Sequence, residues 1–295
     1  MLDANVHNIA IRGTFDDGQR IVKQLFGDLE FKRDLSLGAV NSINWARILA
    51  QMVYYFYAWG RLATDDPNRR VSFAVPTGNF GDVFAGYMAK RMGLPVERLI
   101  IATNRNDILS RFVHTGRYAA GEVYPTLSPA MDIQIASNFE RYLYFLLGED
   151  PAAVRGLLDD MARTGSLAVD AGHHAQVRAD FDALAASDAE TLDQIRATFP
   201  QSQYILDPHT AIGVRAAQGH GDVICLATAH PAKFGEAVTQ AIGREAPPPP
   251  SLQGLLAKET RCARLEASAE RAEPAHKKGG NFQPRVEAPR RLKPG

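Results

Sequence analysis

The sequence predicts an α/β fold built around a parallel sheet. Residues 71–75 form a continuous apolar run of the kind found in a strand that is covered on both faces. A glycine-containing turn and a helical pattern over 82–92 follow, and residues 99–103 give a second β-type run. Because parallel neighbours need a crossover connection, strand, helix and strand in this order predict a βαβ unit. The order of strand, polar turn and helix returns at 223–242.

Composition argues against several classes of partner and location. Of the 295 residues, 45% are hydrophobic and 22% are charged, which is ordinary for a globular protein with a sizeable core. The formal net charge is zero, so we expect neither nucleic acid nor an anionic membrane as a partner. The first residues lack signal-peptide features and no apolar run reaches about 18 residues, which favours a cytoplasmic protein. Cys225 and Cys262 show neither metal-ligand spacing nor a disulfide framework.

Hydrophobic spacing predicts further elements around this unit. The segment over residues 44–63 is so apolar that we expect a helix buried on most sides. Short strands are predicted at 6–11 and 166–169. Other helices are predicted from residue 16 onward and over 106–114, 137–147, 151–164 and 173–199.

The end of the chain differs in composition from the rest. Residues 247–250 are consecutive prolines, and residues 274–295 are basic with few core-forming side chains. Such a segment cannot bury enough apolar surface to offset the entropy of ordering it. We therefore predict one α/β region over 1–245 and a Pro-rich, basic, largely disordered tail over 246–295.

The turn after the first predicted strand of the βαβ unit is a candidate anion site. Gly78 and Gly81 allow close approach of a ligand to backbone N–H groups, and the helix that follows leaves its first N–H groups unpaired. The turn has no lysine, unlike a nucleoside triphosphate loop. A single phosphate monoester therefore fits better. The alternative is an ordinary tight turn in which Asn79 or Asp82 caps the helix.

Three other polar clusters stand at predicted helix starts, at residues 41–47, 207–210 and 228–234. Each is a candidate for ligand contact, because the carboxyl ends of parallel strands gather ligands and buried polar groups need partners. For each cluster the alternative is helix capping. We also interpret the acidic turn at 13–17 as a helix cap. The pair His173–His174 is predicted to start a surface helix and not to bind a metal.

Six motifs in this order resemble the threonine synthase family. They are GTFDD at 13–17, NSIN with an arginine three residues on at 41–47, VPTGNFGD at 75–82, ATNRND at 102–107, DPHTA at 207–211 and ATAHPAKF at 227–234. The resemblance covers residues 5–242. It implies a fold-type II, tryptophan synthase β-like enzyme in which two layered α/β domains enclose pyridoxal 5'-phosphate. It also implies a carbon–oxygen lyase of threonine biosynthesis that converts O-phospho-L-homoserine and water to L-threonine and phosphate.

The resemblance assigns roles to matching positions. Those implied for the cofactor phosphate are Gly78, Asn79, Phe80, Gly81 and Asp82. Thr228 matches the hydroxyl that bonds the pyridine nitrogen. Candidates for the substrate's phosphate or carboxylate are Asn41, Ser42, Asn44 and Arg47, because arginine binds either group in bidentate fashion. Further candidates in the cleft are Asp207, His209, Thr210 and Lys233.

One feature of the family has no counterpart here. Family members carry the Schiff-base lysine in an F-K-D-x-A context that precedes the matched region, so the resemblance implies a fold incomplete at its N-terminus. Lys32 lies in a superficially similar FKRD stretch, but its spacing to the glycine turn is wrong. Lys90 is expected to point to solvent, and Lys233 matches a different family motif. We therefore expect no catalytic lysine, an inactive isolated chain, and a truncated or frame-altered gene product.

Two other functions remain open from the sequence. One is another fold-type II lyase or dehydratase, against which the NSIN and DPHT blocks speak. The other is a non-catalytic phosphate-binding module, which the missing lysine allows. For all three functions we expect self-association, because the absence of the family's N-terminal portion would expose sheet edge and apolar surface, such as that of the helix over 44–63.

Overall fold

The structure is a computed structural model that describes residues 5–13, 15–40 and 44–268. Its contacts form two compact units. The larger is Ala39–Pro249, and the smaller combines Met1–Gly38 with Pro250–Gly295. Asn41 and Ser42, two of the predicted substrate residues, lie outside the described residues. Within the described ranges, no helix combines the length and the apolarity needed to cross a membrane.

Strands and helices alternate through most of the chain. The strands are β1 (Ile9–Arg12), β2 (Val71–Pro76), β3 (Val96–Thr103), β4 (Arg117–Ala119), β5 (Ser166–Ala168), β6 (Phe181–Ala185), β7 (Val223–Cys225) and β8 (Ala263–Glu266). The helices are α1 (Phe15–Gly27), α2 (Leu29–Asp34), α3 (Trp45–Leu62), α4 (Gly81–Arg91), α5 (Ile108–Thr115), α6 (Phe139–Leu146), α7 (Pro151–Thr164), α8 (Ala171–Asp180), α9 (Asp188–Ser202), α10 (Pro208–Ala216) and α11 (Gly235–Ile242).

The larger unit is organised around a four-stranded parallel sheet in the order β6-β3-β2-β7. All six residues of β2 are buried, as predicted for a strand covered on both faces. Helix α4 connects β2 to β3, so the predicted βαβ unit and the predicted α/β class with a parallel core are confirmed. A separate antiparallel pair, β4 and β5, lies outside this sheet.

The two faces of the sheet are covered by different kinds of side chain. Successive strand residues point to opposite faces. Phe73 and Ile101 therefore belong to a large aromatic cluster with residues of α3, α4 and α6, whereas Ala74 and Ile100 pack with α10. Small residues on the α10 side let the helix approach closely. A Cβ on Gly213 would stand 2.7 Å from the Cys225 sulfur.

Helix α3 is not buried on most sides, and that prediction is wrong. Ile48, Met52 and Tyr55 are buried, but Val53 is 61% exposed and Tyr57 is 69% exposed. The inner face packs on α4, while apolar side chains on the opposite face meet solvent. The apolar sequence of α3 predicted that both faces of the helix are buried. Within the described residues, the fold covers only the inner face.

The predicted helix over 173–199 is interrupted by a strand, so that prediction is wrong as well. Helix α8 ends at Asp180, β6 pairs with β3, and α9 begins after Ser187. The alanines and leucine of β6 suit a helix, but pairing with β3 overrides this local preference. In the structure, buried and half-exposed residues alternate along β6, with Phe181 and Ala183 buried. A capping box between Ser187 and Glu190 then starts α9.

The smaller unit joins both ends of the chain. Strands β1 and β8 form a parallel pair, with Ile9 opposite Ala263. The first part of the predicted tail thus contains β8 and two short 3₁₀ turns, Pro250–Leu252 and Leu255–Ala257. Residues 269–295 lie outside the described residues. The predicted disorder of that end and the predicted division of the chain after residue 245 stay predictions.

Candidate functional site

The sheet has one reversal of winding, and the candidate residues gather beside it. The chain runs from β2 outward through β3 to β6 and then returns to β7 on the other side of β2. In open α/β sheets, ligands bind outside the carboxyl ends of the strands at such a reversal. The turn with Gly78 follows β2, and Thr228 follows β7. Topology thus brings these two predicted sites to adjacent strand ends.

Gly78 lies against the short 3₁₀ turn Pro129–Met131. A Cβ at Gly78 would stand 2.7 Å from the Ala130 carbonyl oxygen and 3.1 Å from Met131 Cα. Both atoms belong to backbone, so they cannot move aside as a flexible side chain can. A side chain at this position is therefore excluded, and only glycine lets the turn pack this closely on Pro129–Met131.

Phe80 holds the turn in an unusual backbone conformation. Its φ of 68° lies in the left-handed region, which costs a non-glycine residue about 1–2 kcal/mol. The buried ring is fixed in an aromatic cluster, 5.5 Å from Phe139 and 5.7 Å from Phe181 between centroids. Burial of the ring offsets the backbone strain, so that the side chain anchors the turn while its backbone shapes the site.

Helix α4 begins directly after this turn. Its first N–H groups have no acceptor within the helix, because the first helical bond runs from the Phe84 N–H to the Phe80 carbonyl. The Gly81 N–H donates to Asn79 Oδ1 at 3.0 Å. Asn79 thus satisfies an N–H group at the start of α4, as expected for an ordinary turn that caps the helix. This N–H group is therefore already paired, and a phosphate oxygen would have to replace the Asn79 side-chain oxygen to accept from it.

Asp82, in the first turn of α4, is an unusual acid. Burial raises the pKa of its carboxyl from 3.8 to about 6, while the Tyr55 hydroxyl and the Arg47 charge oppose that rise. The Tyr55 hydroxyl lies 2.8 Å from the Asp82 carbonyl oxygen and 3.3 Å from Asp82 Oδ1. Burial in turn raises the pKa of Tyr55 well above its usual value, with Asp82 as the next cause. These contacts tie the inner face of α3 to the start of α4.

Asn44 and Arg47 lie at the start of α3. Asn44 Oδ1 accepts from the Ala46 N–H at 3.0 Å, and its Nδ2 donates to the Ala39 carbonyl at 2.7 Å. Asn44 is thus the N-cap of α3, as the capping alternative supposed. Arg47 is exposed and donates to the Val40 carbonyl at 3.4 Å. Because its charge lowers the pKa of Asp82, Arg47 is electrostatically linked to the glycine turn.

Thr228 and Lys233 follow β7 in the chain. Both are exposed, so both are accessible to a ligand. Lys233 lies in the 3₁₀ turn Pro231–Phe234, which His230 caps through Nδ1 at 3.2 Å from the Ala232 N–H. The structure therefore brings Thr228 to the β7 end as predicted from its position after that strand.

Asp207, His209 and Thr210 form a buried cluster at the start of α10. Asp207 Oδ1 accepts from the His209 N–H at 2.8 Å and contacts His209 Nδ1 at 3.0 Å, and Asp207 Oδ2 accepts from the Thr210 hydroxyl. The ring of His209 lies 4.9 Å from that of Phe234. Burial raises the pKa of the neighbouring Cys225 thiol to about 12, and the charge of Asp207 adds to the rise. These side chains bond to one another, except that the buried His209 Nε2 has no hydrogen-bond partner among the described residues.

A second polar network was not assigned a role from the sequence. Asn104 and Asn106, from the ATNRND motif, donate to Asp132 Oδ1 at 2.7 and 3.0 Å. Asp132 Oδ2 accepts from the Thr126 N–H at 2.9 Å. The network fastens the loop that carries Pro129–Met131 to the end of β3, so it supports the surface on which Gly78 rests. The paired asparagines were the available signal, but Asp132 has no local signature.

The residues that we interpreted as structural make protein contacts. His173 Nδ1 lies 2.8 Å from Asp170 Oδ2, and His174 Nε2 lies 3.0 Å from the Val113 carbonyl. In the acidic turn at 13–17, Asp17 pairs with Arg20 at 3.3 Å. The described residues hold no cluster of three or more His, Cys, Asp or Glu side chains suited to a metal ion.

The described lysines of the larger unit make no hydrogen bond or ion pair to the glycine turn. Lys90 is half-buried in the last turn of α4 and lies 3.6 Å from Asp180, so the expectation that it points to solvent is wrong. Lys233 lies on the β7 side. Lysines of the smaller unit are Lys23, Lys32 and Lys258. Among the described residues, no hydrogen bond or ion pair joins a lysine to residues 78–82.

Comparison with known proteins bears on this site. A family model described as threonine synthase, C-terminal, matches residues 210–274. The chain is 51% identical over 271 residues to a threonine synthase of Pseudomonas aeruginosa, covering 90% of this chain and 57% of that protein. The chain thus spans little more than half the length of the curated relatives it matches.

Two solved structures support the same relationship. A threonine synthase from Brucella melitensis, solved with PLP bound, superimposes with a TM-score of 0.82 at 48% identity over 91% of this chain and 58% of that chain. Yeast threonine synthase gives a TM-score of 0.78 at 41% identity over 92% of this chain and 58% of that chain. The predicted family and its fold are confirmed, and the chain belongs to the threonine synthase family.

Proposed function

We propose that the turn after β2 binds the phosphate of pyridoxal 5'-phosphate. The observation that carries the proposal is the turn itself, where Gly78 allows close packing, Phe80 holds a left-handed backbone and α4 presents its N-terminus. Backbone N–H groups and a helix N-terminus suffice for a single phosphate dianion. The turn lacks the lysine that a nucleoside triphosphate site would need, and a monoester does not require one.

The ring of the cofactor fits between the ends of two strands. Neighbouring strands lie about 4.8 Å apart, so the ends of β2 and β7 are within reach of two substituents of one pyridine ring. The exposed Thr228 hydroxyl is proposed to bond the ring nitrogen. A neutral hydroxyl leaves that nitrogen unprotonated, unlike an aspartate partner.

The proposed substrate is O-phospho-L-homoserine, with water as co-substrate and L-threonine and phosphate as products. Bound pyridoxal phosphate supplies an electron sink for this chemistry. Arg47 is exposed and electrostatically linked to the turn, so its guanidinium is proposed to hold the substrate's phosphate or carboxylate, together with Asn44 and with Asn41 and Ser42, which precede it in the sequence. Lys233 is proposed to contribute positive charge from the β7 side.

The buried cluster at the start of α10 takes a different role in this proposal. Asp207 and Thr210 are bonded to each other and buried, so they are proposed to shape the wall beside β7, whereas the buried His209 Nε2 has no partner among the described residues and is proposed to serve a substrate group. Asp207 caps α10 and fixes the position of that helix against the sheet.

We further propose that the isolated chain does not turn over substrate. The reaction needs a lysine at the cofactor, and no described lysine contacts the glycine turn. The same observation favours the second candidate, a module that binds phosphate without catalysis. Release of phosphate from O-phospho-L-homoserine by the purified chain would contradict the first statement. Faster deamination of serine than release of phosphate would favour a dehydratase.

Titration calorimetry tests the phosphate site. The chain is titrated separately with pyridoxal phosphate and with inorganic phosphate, and the same is done for Gly81→Asp. We expect one-to-one binding of both ligands and at least a tenfold loss of affinity in the variant, because a carboxylate at the start of α4 repels the dianion. Gly156→Asp, on the exposed part of α7, is the matched control and should bind as wild type does. Absence of heat with both ligands would leave the site without support.

We also propose that the chain self-associates through the outer face of α3. This face consists of Leu49, Val53, Tyr54 and Tyr57, each more than half exposed. Contiguous exposed apolar surface of this kind favours association. Multi-angle light scattering should give a mass above that of one chain, which is 32.3 kDa. A monodisperse monomer at all concentrations would contradict the proposal.

A further inference from the structure

Asn138, the N-cap residue of α6, donates two hydrogen bonds to the backbone of the glycine turn. Its backbone N–H donates to the Asn79 carbonyl at 3.0 Å, and its side-chain Nδ2 donates to the same oxygen at 3.2 Å. The two residues are far apart in the sequence, and Asn138 is 0% exposed, so no ligand can touch its side chain. The residue therefore acts on the turn through Asn79 alone.

These two hydrogen bonds to the Asn79 carbonyl also fix the direction of the Phe80 N–H group. The carbonyl of Asn79 and the N–H of Phe80 belong to one planar peptide unit, which is trans in this chain. In a trans unit the two groups point in opposite directions. With the carbonyl held toward Asn138, the Phe80 N–H points the opposite way within the peptide plane, away from Asn138.

The contacts of Asn138 are not those that best stabilise α6. Asn138 is the N-cap of that helix, where asparagine ordinarily accepts a hydrogen bond from the first turn. Here its side chain makes no such cap bond, and its buried Oδ1 has no partner among the described residues. An unsatisfied buried oxygen and a missing cap both cost stability. The geometry of the side chain serves Asn79 instead.

We infer that Asn138 is a positioning residue of the phosphate site. By holding the Asn79 carbonyl, it keeps the Phe80 N–H and the left-handed turn in the orientation that receives a phosphate oxygen before any ligand arrives. The inference rests on the proposed phosphate site. It adds that the affinity of the turn for phosphate depends on the N-cap residue of α6, which does not touch the ligand.

The variant Asn138→Ser tests this inference, because serine can cap α6 but cannot reach Asn79 with a second donor. The full chain is titrated with inorganic phosphate and with pyridoxal phosphate, and thermal unfolding is followed in parallel. We expect at least a fivefold loss of affinity for both ligands, with a melting temperature equal to or above that of wild type. The Phe80 amide resonance, which should shift on adding phosphate to wild type, should shift less in the variant.

A neighbouring substitution provides the control. Ser137→Ala removes the long 3.5 Å contact from Asn138 Nδ2 to Ser137 Oγ but keeps both hydrogen bonds from Asn138 to the Asn79 carbonyl, so it should leave affinity and the Phe80 resonance unchanged. Equal affinity of Asn138→Ser and wild type would overturn the role of Asn138 and leave the phosphate site intact. Loss of affinity together with a much lower melting temperature would assign Asn138 a structural role only. If wild type binds neither ligand, the phosphate site fails and this inference fails with it.

Discussion

The two faces of α3 carry similar side chains in opposite environments. On the inner face, Tyr55 is fully buried and its hydroxyl bonds to Asp82 at the start of α4. On the outer face, Tyr57 is two residues further on and largely exposed. The inner face is thus part of the support of the glycine turn, while the outer face has no assigned partner among the described residues. The difference teaches that apolar composition indicates how much surface a helix can bury but not which element covers it.

The largest contrast is expected from the same substitution at two glycines. Gly78→Ala would place a Cβ 2.7 Å from the Ala130 carbonyl oxygen, so we expect a loss of about 2–3 kcal/mol in the free energy of unfolding and of detectable phosphate binding. In α3, a Cβ at Gly60 would meet nothing within 4 Å. Gly60→Ala should therefore raise the free energy of unfolding by about 0.5–1 kcal/mol through helix propensity. Urea denaturation measures both, and equal effects would remove the contrast.

The second contrast concerns pH. The pKa of Asp82 is raised in the fold from 3.8 to about 6, so between these values the carboxyl is protonated in the folded state and ionised in the unfolded state. The contribution of Asp82 to the free energy of unfolding is therefore fully present below pH 3.8 and is lost as the pH rises through 6. At about 1.4 kcal/mol per pKa unit, discounted for partial exposure, the loss is on the order of 2 kcal/mol.

The variant Asp82→Asn isolates that contribution. Relative to wild type, its free energy of unfolding should rise between pH 4 and pH 6, because the wild type loses stability there and the amide does not titrate. Asp159→Asn, on the exposed surface of α7, should follow the wild-type profile. A wild-type profile that matches Asp82→Asn at every pH would show that Asp82 is an ordinary acid.

The third contrast removes one hydroxyl from each face of α3. Tyr55→Phe leaves the Asp82 carbonyl without its 2.8 Å partner, and we expect a loss of about 1 kcal/mol in the free energy of unfolding. Tyr57→Phe removes a solvated hydroxyl, and its effect should be within about 0.5 kcal/mol. Denaturant titration of the two variants side by side checks the difference. Identical losses would place both hydroxyls in equivalent surroundings.

The smallest effect on stability is expected on the outer face of α3, where association changes instead. The double variant Val53→Glu with Tyr57→Lys introduces an i,i+4 pair of opposite charges on exposed helix positions. Its free energy of unfolding should stay within about 0.5 kcal/mol of wild type. Light scattering should show a lower average mass than for wild type. An unchanged mass would mean that another surface causes association.

Features set by local pattern were predictable from the sequence. The strand over 71–75, the glycine turn and the helix after it follow from apolar runs, Gly78 and Gly81, and capping residues. The position of Thr228 at a strand end follows in the same way. Local rules suffice because each feature is decided by residues within one or two turns of chain.

Features set by contacts distant in sequence were not predictable. Strand β6 resembles a helix until β3 pairs with it, and the Asp82 carboxyl is ordinary until burial in the fold raises its pKa. The hydrogen bonds from Asn138 to Asn79 join residues 59 positions apart, and no periodicity or motif in the sequence predicts them. These are tertiary effects, and they override or extend what the local pattern indicates.

Assigned amide resonances, recorded while inorganic phosphate is added to the full chain, test the central claim most directly. If the turn after β2 is the phosphate site, the largest shifts should fall on the amides of residues 78–83, with the outer face of α3 unaffected. Pyridoxal phosphate should shift the same amides and, in addition, those at the end of β7 around Thr228. Largest shifts elsewhere, or none within residues 78–83, would contradict the account.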